Sequence, residues 1–253
     1  MSKPFFIWTM RRTGGTSLMS LLTQISEYHG IQHEPFNADR QLGKFIKDFR
    51  KGEDKADIKD GLEEVFKKQP LIKHCYEIFG IEFNNLLVEA INPYGYQHIF
   101  LMRKDDISRI MSLYLAMQTS VWGADQKKAQ YQKILSGEIS LKPFDIDAML
   151  KHYEWSSFIT SKIQELLKEK GIEYKIVYFD DIYTGEREER IEKLYNLFDY
   201  LEFDDSVKVK YKDLIEEKIF NNSQDSISVL KYIPNYEDAK NIFSESKKIV
   251  KKK

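Results

Sequence analysis

Apolar and polar positions follow two rhythms along this chain. Pro4-Phe5-Phe6-Ile7-Trp8 is a short unbroken apolar run, the pattern of a strand buried on both faces. Polar and glycine residues from Thr9 to Gly15 read as a loop, and then Leu18, Leu21, Leu22 and Ile25 recur at helical spacing. A helix is therefore expected from Thr16 to roughly Tyr28. The strand-then-helix unit recurs. Leu71-Ile72-Lys73-His74-Cys75 and His98-Ile99-Phe100-Leu101-Met102 read as strands, each ahead of a break and a helical pattern. Tyr174 to Phe179 reads as another, preceded by a helix around Phe158 to Lys170 that Gly171 is placed to stop. Strands alternating with helices predict an α/β fold with a central parallel sheet flanked by helices. The chain reads as a single domain over 1–253, with helical or lid-like insertions near 37–68 and 123–150 and a late loop from Phe220 to Ser226.

Composition narrows the function classes. The 253 residues are 42% hydrophobic, enough for a substantial core. Lys and Arg total 39 against 40 Asp and Glu, a formal net charge of −1, without the basic bias of a general nucleic-acid binder. Any anion site must be built locally. The single cysteine, Cys75, excludes an intrachain disulfide and a multi-cysteine metal cluster, fits a reducing compartment, and reads as a small buried hydrophobe. No run approaches the ~18 apolar residues of a transmembrane helix, and the first apolar run is too short for a signal peptide. A cytoplasmic location is expected. The lysines at 247, 248 and 251–253 read as a solvated tail, with peripheral contact to an acidic membrane as the alternative.

The first loop carries the candidate chemistry. Arg11-Arg12-Thr13-Gly14-Gly15-Thr16-Ser17 joins a buried strand to the positive end of a helix, an arrangement that binds phosphate through free backbone N–H groups. The glycines allow close approach, Thr13, Thr16 and Ser17 add hydroxyl donors, and an arginine adds a charged fork. The plain alternative is a βα turn capped by Thr16. A nucleoside-triphosphate loop requires Gly-x-x-x-x-Gly-Lys-Ser/Thr, and neither that spacing nor the lysine is here. A second anchor follows the strand ending at Met102. Arg103 stands at the strand end, and the following helix places Asp105, Ser108, Ser112, Ala116 and Thr119 on a small, hydroxyl-rich face opposite Ile107, Ile110, Met111, Tyr114 and Val121.

Both segments resemble PAPS-dependent sulfotransferases. Their first loop reads Pro-Arg-Thr-Gly-Ser-Thr or Pro-Lys-Ser-Gly-Thr-Thr where this chain has Met10-Arg11-Arg12-Thr13-Gly14-Gly15-Thr16-Ser17. The second segment is similar to the bacterial trehalose sulfotransferase group, whose pattern Arg-x-Asp, Gln-Ala-Val-Ser, Ala-x-Gln-Thr-x-x-Trp is matched in register by Arg103, Asp105, Ser112, Ala116, Gln118, Thr119 and Trp122. Arg109 stands where that group has glutamine, and Leu230 to Asn235 is similar to its C-terminal part.

The resemblance implies a P-loop-like three-layer sandwich and sulfuryl transfer from PAPS to a hydroxyl of a small acceptor, a carbohydrate or glycolipid, by in-line displacement without a metal. It implies that Arg11 to Ser17 hold the 5′-phosphosulfate end, with Arg12 as the catalytic cation, and that Arg103 and Ser112 hold the 3′-phosphate. A base is needed on the acceptor side. Glu34 in Gln32-His33-Glu34-Pro35-Phe36 is the candidate, fixed in an extended conformation by Pro35, with His33 as the alternative. Lys73 and His74, at a strand end, are weaker candidates for the same pocket, with a structural role the preferred reading. Trp122, Tyr131, Tyr153 and Trp155 are available to stack on a sugar, and a homodimer stays open. The rival readings are a P-loop kinase using Asp180 or Asp181 to hold magnesium, and a silent nucleotide-binding module.

Overall fold

The computed structural model describes residues 2–31, 34–122, 124–220 and 227–250. Four strands, β1 (Phe5–Thr9), β2 (Ile72–Cys75), β3 (Gln97–Met102) and β4 (Tyr174–Tyr178), form one wholly parallel sheet in the order β2-β1-β3-β4. Helices fill the intervals: α1 (Gly15–Ile25), α2 (Gly43–Lys51), α3 (Lys55–Phe66), α4 (Ile81–Ile91), α5 (Asp106–Thr119), α6 (Ala124–Leu135) and α7 (Ile146–Glu169). After β4 come α8 (Phe179–Tyr183), α9 (Arg187–Tyr200), α10 (Ser206–Lys210), α11 (Lys212–Phe220), α12 (Ile227–Leu230) and α13 (Tyr236–Val250). The expected α/β class with a central parallel sheet is what the chain forms.

The unbroken apolar run of β1 has a simple cause. Phe6 and Trp8 point to one face of the sheet, where Ile72 and Phe100 join Phe45, Leu62, Phe83 and Ile163 of α2, α3, α4 and α7. Phe5 and Ile7 point to the other, where Ile99, Leu101 and Val177 meet Leu18, Leu22, Leu197 and Ile215 of α1, α9 and α11. A central parallel strand covered on both faces has no polar side, so alternation vanishes. Helices on both faces make the three layers.

Contacts divide the chain into two compact units: Met1–Lys104 with Ser156–Asn222, and Asp105–Trp155 with Ser223–Lys253. The first holds the sheet. The second has its own apolar cluster, in which Ile110, Met111 and Leu115 of α5 pack with Tyr131, Met149, Val229 and Phe243. Two side-chain amides pin its connecting segment: Asn235 accepts from the Phe144 N–H (2.7 Å) and donates to the Phe144 carbonyl (2.9 Å), and Gln118 does the same at Lys142. The stretch 37–68 carries α2 and α3 in the first unit, and 123–150 carries α6 and the start of α7. Of the late loop expected from Phe220 to Ser226, Phe220 ends α11 and 221–226 lie outside the described residues.

Element ends differ from the sequence pattern where side chains intervene. Helix α1 stops at Ile25 rather than near Tyr28, because Ser26 is extended (ψ 155°) and its hydroxyl accepts from the Tyr28 N–H. Gly171 stops α7 as expected, at φ +67° with the Ile172 N–H bonded to the Leu167 carbonyl. Phe179 opens α8 instead of closing β4.

Two histidines are sealed among the aromatic residues of one face. The Trp8 indole N–H donates to His98 Nδ1 at 3.0 Å, a bond that requires the neutral ring. His74 Nε2 meets Asn84 Oδ1 at 2.8 Å. Burial lowers both pKa values to about 4. Since the unfolded imidazoles titrate near their ordinary value of about 6.5, the unfolded chain binds more protons between those limits, and stability falls as pH drops through that window. Urea unfolding from pH 7 to 4.5 is expected to show this loss, on the order of 2 kcal/mol per ring. His98→Asn, which keeps an acceptor for Trp8 but cannot titrate, is expected to flatten the slope.

Candidate functional site

The strand order reverses between β1 and β3: the chain steps outward from β1 to β2, then crosses back to the far side of β1. In open parallel sheets ligands bind at the carboxyl ends of strands beside such a switch point. The loop from Met10 to Gly14 leaves β1 there, and Arg103 follows the end of the neighbouring β3.

Within this loop Arg12 (φ +68°) and Gly14 (φ +73°) are both left-handed, turning successive amides toward one side. Helix α1 then begins without a side-chain cap and without an acidic residue in its first turn. Helix α5 is the contrast, with Asp105 accepting from the Ser108 N–H at 3.1 Å and Asp106 in its first turn. The amides of Gly15 and Thr16 lie where a helix offers no internal acceptor, and the first turn itself carries no acidic residue. The cap is Gly14 rather than Thr16. Thr16 is exposed and Ser17 is half-buried, so both hydroxyls stay at the cradle. Thr13 differs: its buried hydroxyl donates to the Met10 carbonyl at 2.6 Å and meets the Thr9 hydroxyl. In this structure the Thr13 hydroxyl braces the loop, and its donor is used by the Met10 carbonyl.

The two arginines have distinct situations. The Arg11 N–H and Nε both bond Glu77 Oε1, at 2.8 and 2.9 Å, and the Glu77 side chain is wholly buried. Arg11 thereby ties the loop to the end of β2, while Arg12 occupies the left-handed turn itself. On the other flank, Phe179 lies so close to Gly14 that a Cβ there would stand 2.5 Å from the ring. The Arg103 guanidinium sits 4.8 Å over the Phe179 ring centre, and Tyr183 stacks beside it. Arg103, Phe179 and Gly14 form one packed series. Ser112 is in the second unit, buried on α5.

The sequence pattern placed Glu34 near this site, and the fold shows how it arrives. Gly30 bridges to Leu71 in parallel with β2, with the Ile31 N–H on the Leu71 carbonyl and the Leu71 N–H on the His29 carbonyl. The returning chain thus runs beside β2 and delivers Glu34 to its carboxyl end. Glu34 Oε1 accepts from Lys73 Nζ at 2.8 Å and from Cys75 Sγ at 3.2 Å, and Oε2 accepts from Asn37 at 3.2 Å. Its backbone is left-handed, φ +57°, not extended as the following proline implied. These side-chain bonds, rather than proline sterics, fix the carboxylate. His33, the alternative base, lies outside the described residues.

Lys73, a weaker candidate for this pocket in the sequence, lies directly beside it. It is 3% exposed, and its ammonium lies 2.8 Å from Glu34 and 3.4 Å from Thr16 Oγ1. Its stem is so near α1 that a Cβ on Gly15 would meet Lys73 Cδ at 2.9 Å. The Lys73 ammonium, carried by β2, thus reaches the first turn of α1. Burial pushes the Glu34 carboxyl up, but the Lys73 charge and the hydrogen bonds from Lys73, Cys75 and Asn37 outweigh it and hold the pKa at about 2. The Cys75 thiol is pushed well up, first by burial, so it stays a neutral donor. His74 is fully buried and bonded to Asn84. Asp180 accepts from the Lys104 N–H and Asp181 pairs with Lys104 Nζ. Of the aromatic residues considered for stacking, Tyr131 and Tyr153 belong to the second unit's core, while Trp122 and Trp155 are exposed.

The chain matches no protein-family model, and no curated protein matches it significantly. The geometry brings together a left-handed turn at Arg12 and Gly14, a helix start without a side-chain cap, the Lys73 ammonium and the Glu34 carboxylate. Gly14→Ala is expected to lower stability by about 1–3 kcal/mol, because it combines left-handed strain with displacement of Phe179. A fall in the urea midpoint together with weakened binding of inorganic phosphate checks it.

Proposed function

We propose that this chain is a sulfotransferase that uses PAPS and delivers its sulfuryl group to a hydroxyl of a small acceptor, a carbohydrate or glycolipid. The observation that carries this reading is the start of α1, uncapped and free of acidic residues at the switch point of the sheet, with Lys73 and Arg12 beside it. A helix start of this kind favours an anion, and the donor set suits one. The loop lacks the lysine and spacing of a triphosphate site, and the two acids best placed for magnesium, Asp180 and Asp181, are engaged by Lys104. The similarity of Arg103 and Ser112 to the residues that bind a 3′-phosphate in sulfotransferases directs the reading to PAPS rather than to ATP.

PAPS supplies an activated sulfuryl group on a 5′-phosphate. The amides of Gly15 and Thr16, with the Thr16 and Ser17 hydroxyls, hold that phosphate. Arg12 and Lys73 place positive charge where negative charge grows on the leaving oxygen, a form of stabilisation that acts most strongly away from bulk water. Glu34 takes the proton of the acceptor hydroxyl.

Isothermal titration is expected to show binding of adenosine 3′,5′-bisphosphate that ATP with magnesium does not compete away. Labelled sulfate is expected to pass from PAPS to members of a panel of hydroxylated acceptors. Arg12→Ala should slow transfer by about 10²–10³-fold, the usual effect of removing one donor to a developing oxyanion. Glu34→Gln should abolish transfer and leave bisphosphate binding intact. Tight ATP binding with no affinity for the bisphosphate would overturn the reading.

A further inference from the structure

The Glu34 carboxylate, held by three side chains, is in this state a poor proton acceptor, because basicity falls with pKa. The arrangement around Lys73 resolves the conflict. Its buried ammonium is bonded to Glu34 at 2.8 Å and stands 3.4 Å from Thr16 Oγ1 at the first turn of α1, so it borders both the carboxylate and the cradle. A buried ammonium requires a negative partner. The phosphosulfate end of the donor carries about two negative charges, one on phosphate and one on sulfate, and the 5′-phosphate of adenosine 3′,5′-bisphosphate carries about −1.5 to −2, so either attracts the ammonium more strongly than one carboxylate at a comparable distance.

We infer that Lys73 is a positioning residue that couples the cradle to the base: with an anion at the start of α1, its ammonium turns from Glu34 to that anion, and Glu34 is released to accept the proton of the acceptor hydroxyl. This rests on the sulfotransferase reading. Its consequence is order. The base gains strength only when the donor is in place, so an acceptor alone meets an inactive carboxylate.

The groups facing Glu34 are consistent with Lys73 as the controlling one. From β2, Cys75 offers a neutral thiol and His74 a ring kept neutral by burial. Asn37 of the following turn carries no charge. Glu77, beyond the strand end, is paired with Arg11. Of these groups, Lys73 alone is a cation bonded to the carboxylate.

The test uses the whole chain, labelled with ¹³C at glutamate side chains, with the Glu34 signal identified by its absence in Glu34→Gln. In the free protein the signal keeps its carboxylate shift to the lowest pH at which the fold persists. With saturating adenosine 3′,5′-bisphosphate its proton affinity is expected to rise by about ten-fold or more, one pKa unit. In Lys73→Met the carboxyl is expected to titrate higher in the free protein already, and the bisphosphate should shift it by less than about three-fold. A crystal structure of the bisphosphate complex should show the 2.8 Å contact of Lys73 with Glu34 broken and Nζ on the 5′-phosphate. If the bisphosphate binds and the Glu34 signal does not move, or moves equally in Lys73→Met, the coupling is wrong and the sulfotransferase reading stands. If it does not bind, both fall.

Discussion

Strand β1 is hydrogen-bonded along both edges and covered on both faces, and this sets the position of everything else. Its register fixes β2 on one side, with Ile7 opposite Lys73 and Thr9 opposite Cys75, and β3 on the other, with Thr9 opposite Leu101. The carboxyl ends of three strands are thereby aligned, and each delivers one part of the site: the loop after β1, the Lys73 and Cys75 side chains of β2, and Arg103 after β3. The aromatic pair after β4 then closes on Gly14. Shifting β1 by one residue would exchange its two faces and scatter these groups.

Charge at the site is arranged locally in a molecule whose net charge is −1. Arg11 is balanced by Glu77, and Lys73 by Glu34. In each ion pair one partner is buried and the other reaches solvent: Glu77 is wholly buried against an Arg11 side chain 27% exposed, and the Lys73 side chain is 3% exposed against a Glu34 side chain 26% exposed. The first pair is a rivet holding the loop to β2. In the second the exposed partner is the carboxylate, so an ammonium that leaves it stays buried and needs another anion close by.

How much of this was legible follows the range of the interactions. The apolar run of β1, the stripe of Leu18, Leu21, Leu22 and Ile25, and the stop at Gly171 are local patterns, and each produced the element it predicted. Gly14 and Gly15 announced a close backbone turn for the same reason. Lys73 was legible as a weaker candidate for the pocket, but its pairing was not. Its partner Glu34 is 39 residues away in sequence, and the two meet only because the segment around Gly30 runs back alongside β2. A lysine among Ile72, His74 and Cys75 has no local feature that separates a buried ammonium at a site from one that snorkels to solvent. Glu77 was hidden likewise, and the left-handed backbone of Glu34 reversed an inference from Pro35 that holds on average but yields to three side-chain bonds.

The hydrogen bond between Trp8 and His98 joins residues 90 apart in sequence, and the central strand finds neither of its edge partners within its own neighbourhood of the chain. A fold organised in this way is entropically late to assemble, since long loops must close before the first native strand pair is rewarded. Until then Phe5-Phe6-Ile7-Trp8 is a bare apolar segment with two open edges, the kind of surface that associates with other chains during folding. The feature that aligns the site in the finished molecule is thus the one that leaves the nascent chain most dependent on protection from aggregation.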